Sequence, residues 1–256
     1  MASAALYDGI GRGYRNTRRT DPRLAARIRA ALGDARTVLN VGAGSGSYEP
    51  ADRPVVAVEP SDVMIAQRPA GSAPVVQAFA ENLPFPDRSF DAALAVSSDH
   101  HWRNRLRGLR ELRRVARRRV VLFNADPAAA ERFWLTTEYL PGFLRLIPDR
   151  YRNPGVWAAE LARELGAVRV DPVPIPHDCE DGFYGAFWRR PEAYLDPAVR
   201  EGISVFAFLS KPEIDQALMR LHDDLETGVW HASHADLIDL DELDLGYCLV
   251  IAELVK

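Results

Sequence analysis

The run Ser97-Ser98-Asp99-His100-His101-Trp102 places two adjacent histidines beside a carboxylate. Imidazole is the side chain best suited to taking a proton near neutral pH, so His100 and His101 are candidate bases. The plainer alternative is that they cap or pack a following helix. Asp99 with both histidines offers three metal-ligating types in a row. Adjacent residues rarely all face one ion, however, and no second carboxylate pair stands at matching spacing, so no metal is expected. A second constellation is Gly42-Ala43-Gly44-Ser45-Gly46, followed by Glu59 in Val58-Glu59-Pro60-Ser61. Glycines so spaced let the backbone turn tightly against a ligand, and a carboxylate at a strand tip can accept from both hydroxyls of a ribose. A Gly-Lys-Ser/Thr sequence is absent, which excludes a triphosphate P-loop. The spacing also differs from the Gly-x-Gly-x-x-Gly of dinucleotide enzymes, because Ser47 stands at the third glycine's place. A third group, His177-Asp178-Cys179, lacks an oriented partner that would make the thiol a nucleophile, and reads better as a pocket wall.

These residues need elements to position them. Thr37-Val38-Leu39-Asn40-Val41 is too short an apolar run for a helix and feeds the glycine loop as a buried strand. Further apolar runs follow at 55–58, 75–76, 90–96 and 120–123, with helical spacing over 61–68 and 103–117 between them. A helix over 21–32 is capped by Asp21-Pro22 and ended by Gly33. Such alternation predicts an α/β fold: a Rossmann-like, mostly parallel seven-stranded sheet with helices on both faces. Residues 128–166 read as mostly helical, 168–175 as a strand and 245–254 as the last strand. The helical, aromatic stretch before that strand is too long for a loop and predicts an inserted helical cap. The expected divisions are an N-terminal lid and first helix over 1–33, a core over 34–180 and 243–256, and the cap over 181–242.

The chain has 256 residues, 47% hydrophobic and 27% charged, with a formal net charge of −4. That is the balance of a globular protein, and it does not suit a whole surface that binds nucleic acid. All but two of its 32 basic residues are arginine, the exceptions being Lys211 and Lys256. Nine arginines fall between Arg103 and Arg119, but Leu106, Leu109, Leu112, Val115 and Ala116 recur at helical spacing, which predicts an amphipathic helix with a solvated arginine face. Two cysteines are too few for a disulfide framework, and neither a signal peptide nor a membrane span is visible, so a cytoplasmic protein is expected.

The run Ala80-Glu81-Asn82-Leu83-Pro84-Phe85-Pro86-Asp87-Arg88-Ser89-Phe90-Asp91 adds a decisive signature. Together with Val38 to Gly46, Glu59 and Leu109 to Val115, it resembles the class I S-adenosylmethionine (SAM)-dependent methyltransferases, in particular the small-molecule group of the ubiquinone- and menaquinone-biosynthesis type. The resemblance covers about residues 34–126. It implies SAM as cofactor and S-adenosylhomocysteine as product. Gly42, Gly44 and Gly46 would pass under the methionine part, while Glu59, with Pro60 and Ser61 beside it, would hold the ribose. Met64 would pack on adenine, whose edge would meet backbone groups of Ala80 and Glu81. Phe79 stands where the family often has an acidic residue, and Asn40 where aspartate is frequent. Ser97 closes the set at the fourth strand's tip. The family often places a histidine just before an aromatic there, which favours His101 over His100 as base.

The segment from Tyr7 to Arg19, with three glycines and two tyrosines, reads as a lid in which Tyr7 and Tyr14 are anchors and Arg18 or Arg19, the latter preferred, meets the methionine carboxylate. A frayed terminus is the alternative. Trp134, Tyr139, His177, Asp178, Phe183 and Trp188 are the expected acceptor pocket; the stretches around Asp181 to Phe183, Phe187 to Arg190 and Trp230-His231 equally suit a lid over the acceptor or the core of the cap. The function expected is methyl transfer to oxygen, nitrogen or carbon of a small molecule, in secondary metabolism, by a monomer or homodimer that binds neither membrane nor nucleic acid. An NAD(P)-dependent oxidoreductase and a non-catalytic SAM-binding protein are the alternatives.

Overall fold

In the computed structural model, which describes residues 7–9, 11 and 13–254, the short apolar runs become one sheet. Strands β1 (Val38–Val41), β2 (Val55–Val58), β3 (Val75–Val76), β4 (Phe90–Val96) and β5 (Ala116–Ala125) are parallel. β6 (Val168–Pro172) and β9 (Tyr247–Glu253) complete the sheet in the order β3-β2-β1-β4-β5-β9-β6. β9 runs antiparallel to both of its neighbours. A reversed strand inserted there distinguishes the sheet from the all-parallel 3-2-1-4-5-6 order of dinucleotide enzymes. β7 (Ile175–Pro176) and β8 (Glu242–Leu243) form a separate two-stranded ribbon.

All four residues of β1 are buried, as befits a central strand covered on both faces. Successive residues go to opposite cores. Ala92 and Leu94 join the core beneath helix α1 (Pro22–Leu32), whereas Ala93 and Ala95 join the one beneath α3 (Arg105–Val115) and α4 (Val156–Leu165). α1 starts where Asp21 accepts from the backbone N–H groups of Arg23 and Leu24, and it buries Leu24, Ile28, Ala31 and Leu32. α2 (Asp62–Ala66) starts at Ser61, whose side chain accepts from the Met64 N–H. α3 buries Gly108, Leu109, Leu112 and Val115 and passes into β5 without a loop, so Ala116 is already strand. Its outer face carries the exposed Arg107, Arg110 and Arg113, as their spacing predicts, whereas Arg105 and Arg114 are half-buried. Arg105, Arg110 and Arg114 are paired with Asp99, Glu164 and Glu111.

The cap is built from two segments. Residues 127–152 run in short 3-10 and π turns rather than regular helix. They pack Phe133, Trp134 and Tyr139 into the same core as Trp188, Tyr194 and Trp230 of the later segment, which contains α5 (Pro197–Glu201) and α6 (Lys211–Glu226). This core is continuous with the α1 side of the sheet. β1 lies between β2 and β4, and the chain changes direction across it, which opens a crevice at the strands' carboxyl ends.

Candidate active site

The glycine loop leaves β1 by folding back on β2, with the N–H groups of Gly42 and Ala43 both donating to the Val58 carbonyl at 2.9 and 3.0 Å. Gly42 has φ +71°, and a Cβ on it would lie 2.7 Å from the Ser98 hydroxyl, so both torsion and space require glycine. Glu59, at the tip of β2, accepts from the Gly44 N–H at 2.8 Å through Oε2 and from the Ser61 N–H at 2.9 Å through Oε1. Burial pushes its carboxyl above the usual range, against the pull of those two bonds. A carboxylate has about four acceptor positions, so each oxygen keeps one for another donor. Asn40 is 1% exposed and its Oδ1 has no hydrogen-bond partner. Its Nδ2 reaches Glu49 only at 3.5 Å. Asn40, Gly42, Gly44, Glu59, Pro60, Met64, Ala80 and Glu81 all line one cleft. An orphaned acceptor, a carboxylate with spare lone pairs and backbone without Cβ atoms suit an ammonium, a vicinal diol and a chain passing close by.

The N-terminal segment covers this cleft. Tyr7 and Tyr14 line it, and the Arg18 guanidinium lies over the Tyr14 ring at 4.8 Å. Arg18 also donates to Asp181, from Nε at 2.6 Å and from Nη2 at 3.3 Å, and the Tyr48 hydroxyl donates to the same carboxylate at 2.9 Å. The Gly182 N–H donates to the Thr17 carbonyl at 2.9 Å. N-terminus, glycine loop and cap thus meet at one latch. Under it the cleft's free volume is about 80 Å³, well below the roughly 300–1,000 Å³ of ligand pockets.

A second cavity, of about 620 Å³, lies under the cap. Tyr7, Arg18, Ser97, His101 and Trp102 belong to both walls. Ser97 has φ +46° at the end of β4, a strained conformation for a side-chain-bearing residue, and its N–H is held by the Phe123 carbonyl at 2.8 Å. The break in the strand there turns the following residues toward the crevice. His101 Nε2 lies 2.9 Å from the Tyr7 hydroxyl, and the His100 and His101 rings are 3.9 Å apart. Burial holds His101 well below its ordinary pKa of 6.5, with His100 and Arg18 adding like charge, and burial lowers His100 as well. Both rings are neutral at pH 7. Asp99 accepts from Arg105 Nε at 2.7 Å and from Asn124, so its carboxylate is committed to the fold rather than shared with the histidines. Among the described residues no group of three or more His, Cys, Asp or Glu could hold a metal ion.

The expected site residues divide by place. Tyr7, Tyr14, Gly42, Gly44, Glu59, Pro60, Met64, Ala80, Glu81, Ser97 and His101 line the cleft, and His100 and Phe183 line the cap cavity. Others lie elsewhere. Arg19 is exposed, and Arg18 takes the inward position because the chain is extended there. Gly46 faces Arg68, and Ser61 caps α2 while donating to Asp8. Asp178 is exposed and pairs with Arg23 at 2.6 Å, and the His177 N–H is held by the Asp241 carbonyl beside the β7–β8 ribbon. Trp134 donates its indole N–H to the Trp188 carbonyl, Trp188 donates to that of Ile175, and Tyr139 donates to Asp224; these three form the cap's own core. The cavity's aromatic wall comes instead from Phe133, Phe143, Tyr151, Trp157, Tyr184 and Tyr247. Tyr48 escaped the sequence reading. For Tyr48, adjacency to the glycine loop was the available signal.

Residues 39–123 match the family described as a methyltransferase domain. The chain is similar to a solved structure of a putative methyltransferase from an antibiotic biosynthesis pathway of Anabaena variabilis. Identity is 32%, with 93% of this chain and 99% of that chain covered and a TM-score of 0.82. It shares its fold with the [4+2]-cyclase SpnF at 16% identity, over 98% of this chain and 94% of that one, with a TM-score of 0.51. A possible histamine N-methyltransferase of Thermotoga maritima is 20% identical over 68% of this chain and 85% of that one, with a TM-score of 0.49. No curated protein gives a significant match.

Proposed function

The chain belongs to the class I SAM-dependent methyltransferases, a family that uses S-adenosylmethionine as methyl donor, and we propose that it methylates a small molecule held in the cap cavity. The observation that carries this reading is the common wall of Tyr7, Arg18, Ser97, His101 and Trp102, which puts a candidate donor site and a candidate acceptor site in contact. The donor's sulfonium supplies an electrophilic methyl carbon, so the protein's task is to position a nucleophile and manage its proton.

Asn40 Oδ1 would receive the ammonium of the methionine part, Glu59 the ribose hydroxyls, and the backbone at Ala80 and Glu81 the adenine edge. The neutral His101 ring would take a proton from the acceptor, with Tyr7 fixing its orientation. A base with so low a pKa suits an acceptor whose reacting O–H, N–H or C–H is already acidic. A role in secondary metabolism draws support from the Anabaena relative's pathway. Cytoplasmic placement is consistent with two free cysteines and with no helix of the described residues being long and apolar enough to cross a membrane. Calorimetric titration tests the reading. S-adenosylhomocysteine binding without NADH binding is expected, and the reverse would overturn it.

A further inference from the structure

The cap cavity is not uniformly apolar. On the cap side its wall is Phe133, Phe143, Phe183, Val205 and Phe208, and Phe208 is 50% exposed at the rim. On the α3–α4 side it is Arg103, Arg105 and Arg150, close to His100 and Tyr151. The Arg103 guanidinium lies 4.2 Å over the Phe79 ring and has no carboxylate within ion-pair distance among the described residues. Arg105 gives Nε to Asp99 and Nη1 to Glu160, which leaves Nη2 shielded from solvent and without a partner. Arg150 stacks on Tyr151 at 4.4 Å, donates to its hydroxyl at 3.1 Å and reaches Glu160 only at 3.8 Å. Glu160 is itself engaged by Arg105, Arg163 and the Tyr151 hydroxyl. The fourth arginine of the wall, Arg18, is paired with Asp181. Among the described residues Asp126 is the one carboxylate on the lining, and it accepts from the Ala128 N–H as a turn cap.

Asp99 and Glu160 thus stand behind Arg105 and Arg150, Arg103 has no acidic partner among the described residues, and Arg103 and Arg150 keep donor capacity at the cavity wall. Guanidinium is the side chain best matched to a planar oxyanion. We infer that the acceptor is an aromatic-sized acid: its apolar body rests on the phenylalanine wall and its anionic group, a carboxylate or an equivalent oxyanion, is held by Arg103 and Arg150, with Arg105 behind them adding positive charge. This rests on the reading of the cavity as the acceptor site. It also explains how a weak base serves, since a neighbouring guanidinium cluster lowers the pKa of an adjacent acidic proton on the acceptor.

The test uses two fluorescent probes with one skeleton, 1-anilinonaphthalene-8-sulfonate and the neutral N-phenyl-1-naphthylamine, titrated with and without saturating S-adenosylhomocysteine. The sulfonate should bind about tenfold or more tighter than the amine, as expected for a charge-assisted contact. Arg103→Gln/Arg150→Gln, both at exposed positions that the core does not need, should remove that preference and leave amine affinity unchanged. Ala130→Trp, which fills the cavity, should weaken both probes. Equal affinities in the wild type, no binding of either probe, a preference that survives the double variant, or indifference to Ala130→Trp would each overturn the inference. Failure to bind S-adenosylhomocysteine would overturn the methyl-donor reading instead, and the probe comparison without it would still be decisive.

Discussion

Replacing Glu59 with glutamine isolates the chemistry of the donor cleft. The shape is kept, but one of two oxygens becomes an NH2 group. In the native structure each oxygen already accepts one backbone N–H, from Gly44 at 2.8 Å and from Ser61 at 2.9 Å. Glutamine can keep one of these bonds and must set donor against donor at the other. It also removes the charge from the acceptor offered to the ribose. A hydrogen bond to a charged group contributes about 1.5–3 kcal/mol. Allowing for the bond that glutamine retains, binding of S-adenosylhomocysteine should weaken by about 2–3 kcal/mol, a factor of roughly 30 to 140 in Kd. Calorimetry at pH 8 reads this directly. Adenosine and 2′-deoxyadenosine give the mechanistic arm, since the wild type should prefer the ribonucleoside and Glu59→Gln should not. Because burial raises the Glu59 pKa, the wild type should also lose affinity as pH falls through that raised value, while the variant stays level. An unchanged Kd, or undiminished discrimination between the nucleosides, would refute the assignment.

His101→Ala should lower kcat for methylation of an aromatic acid by about 10²-fold or more while leaving the Kd of S-adenosylhomocysteine within about threefold, as measured by turnover and calorimetry. Stability should respond to acid through the same residues. The folded-state pKa values of His100 and His101 lie below 6.5, so above pH 6.5 both states are neutral. Below it the unfolded chain takes up protons that the folded one refuses, and stability falls by about 1.4 kcal/mol per pH unit per histidine until the folded pKa is reached. Urea titrations at pH 7.5 and 5.5 should show a smaller loss in His101→Phe than in the wild type. Gly108→Ala sets a Cβ 2.7 Å from Cζ3 of the Trp102 indole, so it should cost about 1–3 kcal/mol in thermal unfolding and shift tryptophan fluorescence.

The clustering of the candidate donor residues in one cleft was legible because its signals are local. Gly42, Gly44 and Glu59 belong to one strand-loop-strand unit, and short-range geometry decides what each can do. The latch over that cleft rests on pairings that no window of sequence contains. Arg18 and Asp181 are 163 residues apart, and Tyr48 and Asp181 are 133 apart. Whether a tryptophan lines a cavity or fills a core depends on what packs on its far side. That is why Trp134 and Trp188 were expected in the pocket and lie in the cap's interior. Arg19 instead of Arg18 is an error of one residue, the natural size of error on an irregular segment with no period to fix its phase. Residues 127–152 misled for a related reason, since 3-10 and π turns share helical composition without the helical repeat.

The latch of Arg18, Tyr48 and Asp181 has a consequence for how strongly any ligand of the donor cleft can bind. The cleft's free volume of about 80 Å³ is smaller than a nucleoside carrying an amino acid, and if the N-terminal segment acts as a lid, binding draws on the fraction of molecules in which that lid is open. The apparent Kd equals the intrinsic Kd divided by that fraction, and every tenfold fall in the open population weakens apparent binding tenfold. Affinity would then be governed partly from Asp181, which does not line the candidate donor cleft. A lid of this kind would also slow escape once closed, so residence time and affinity would both depend on a carboxylate outside the cleft.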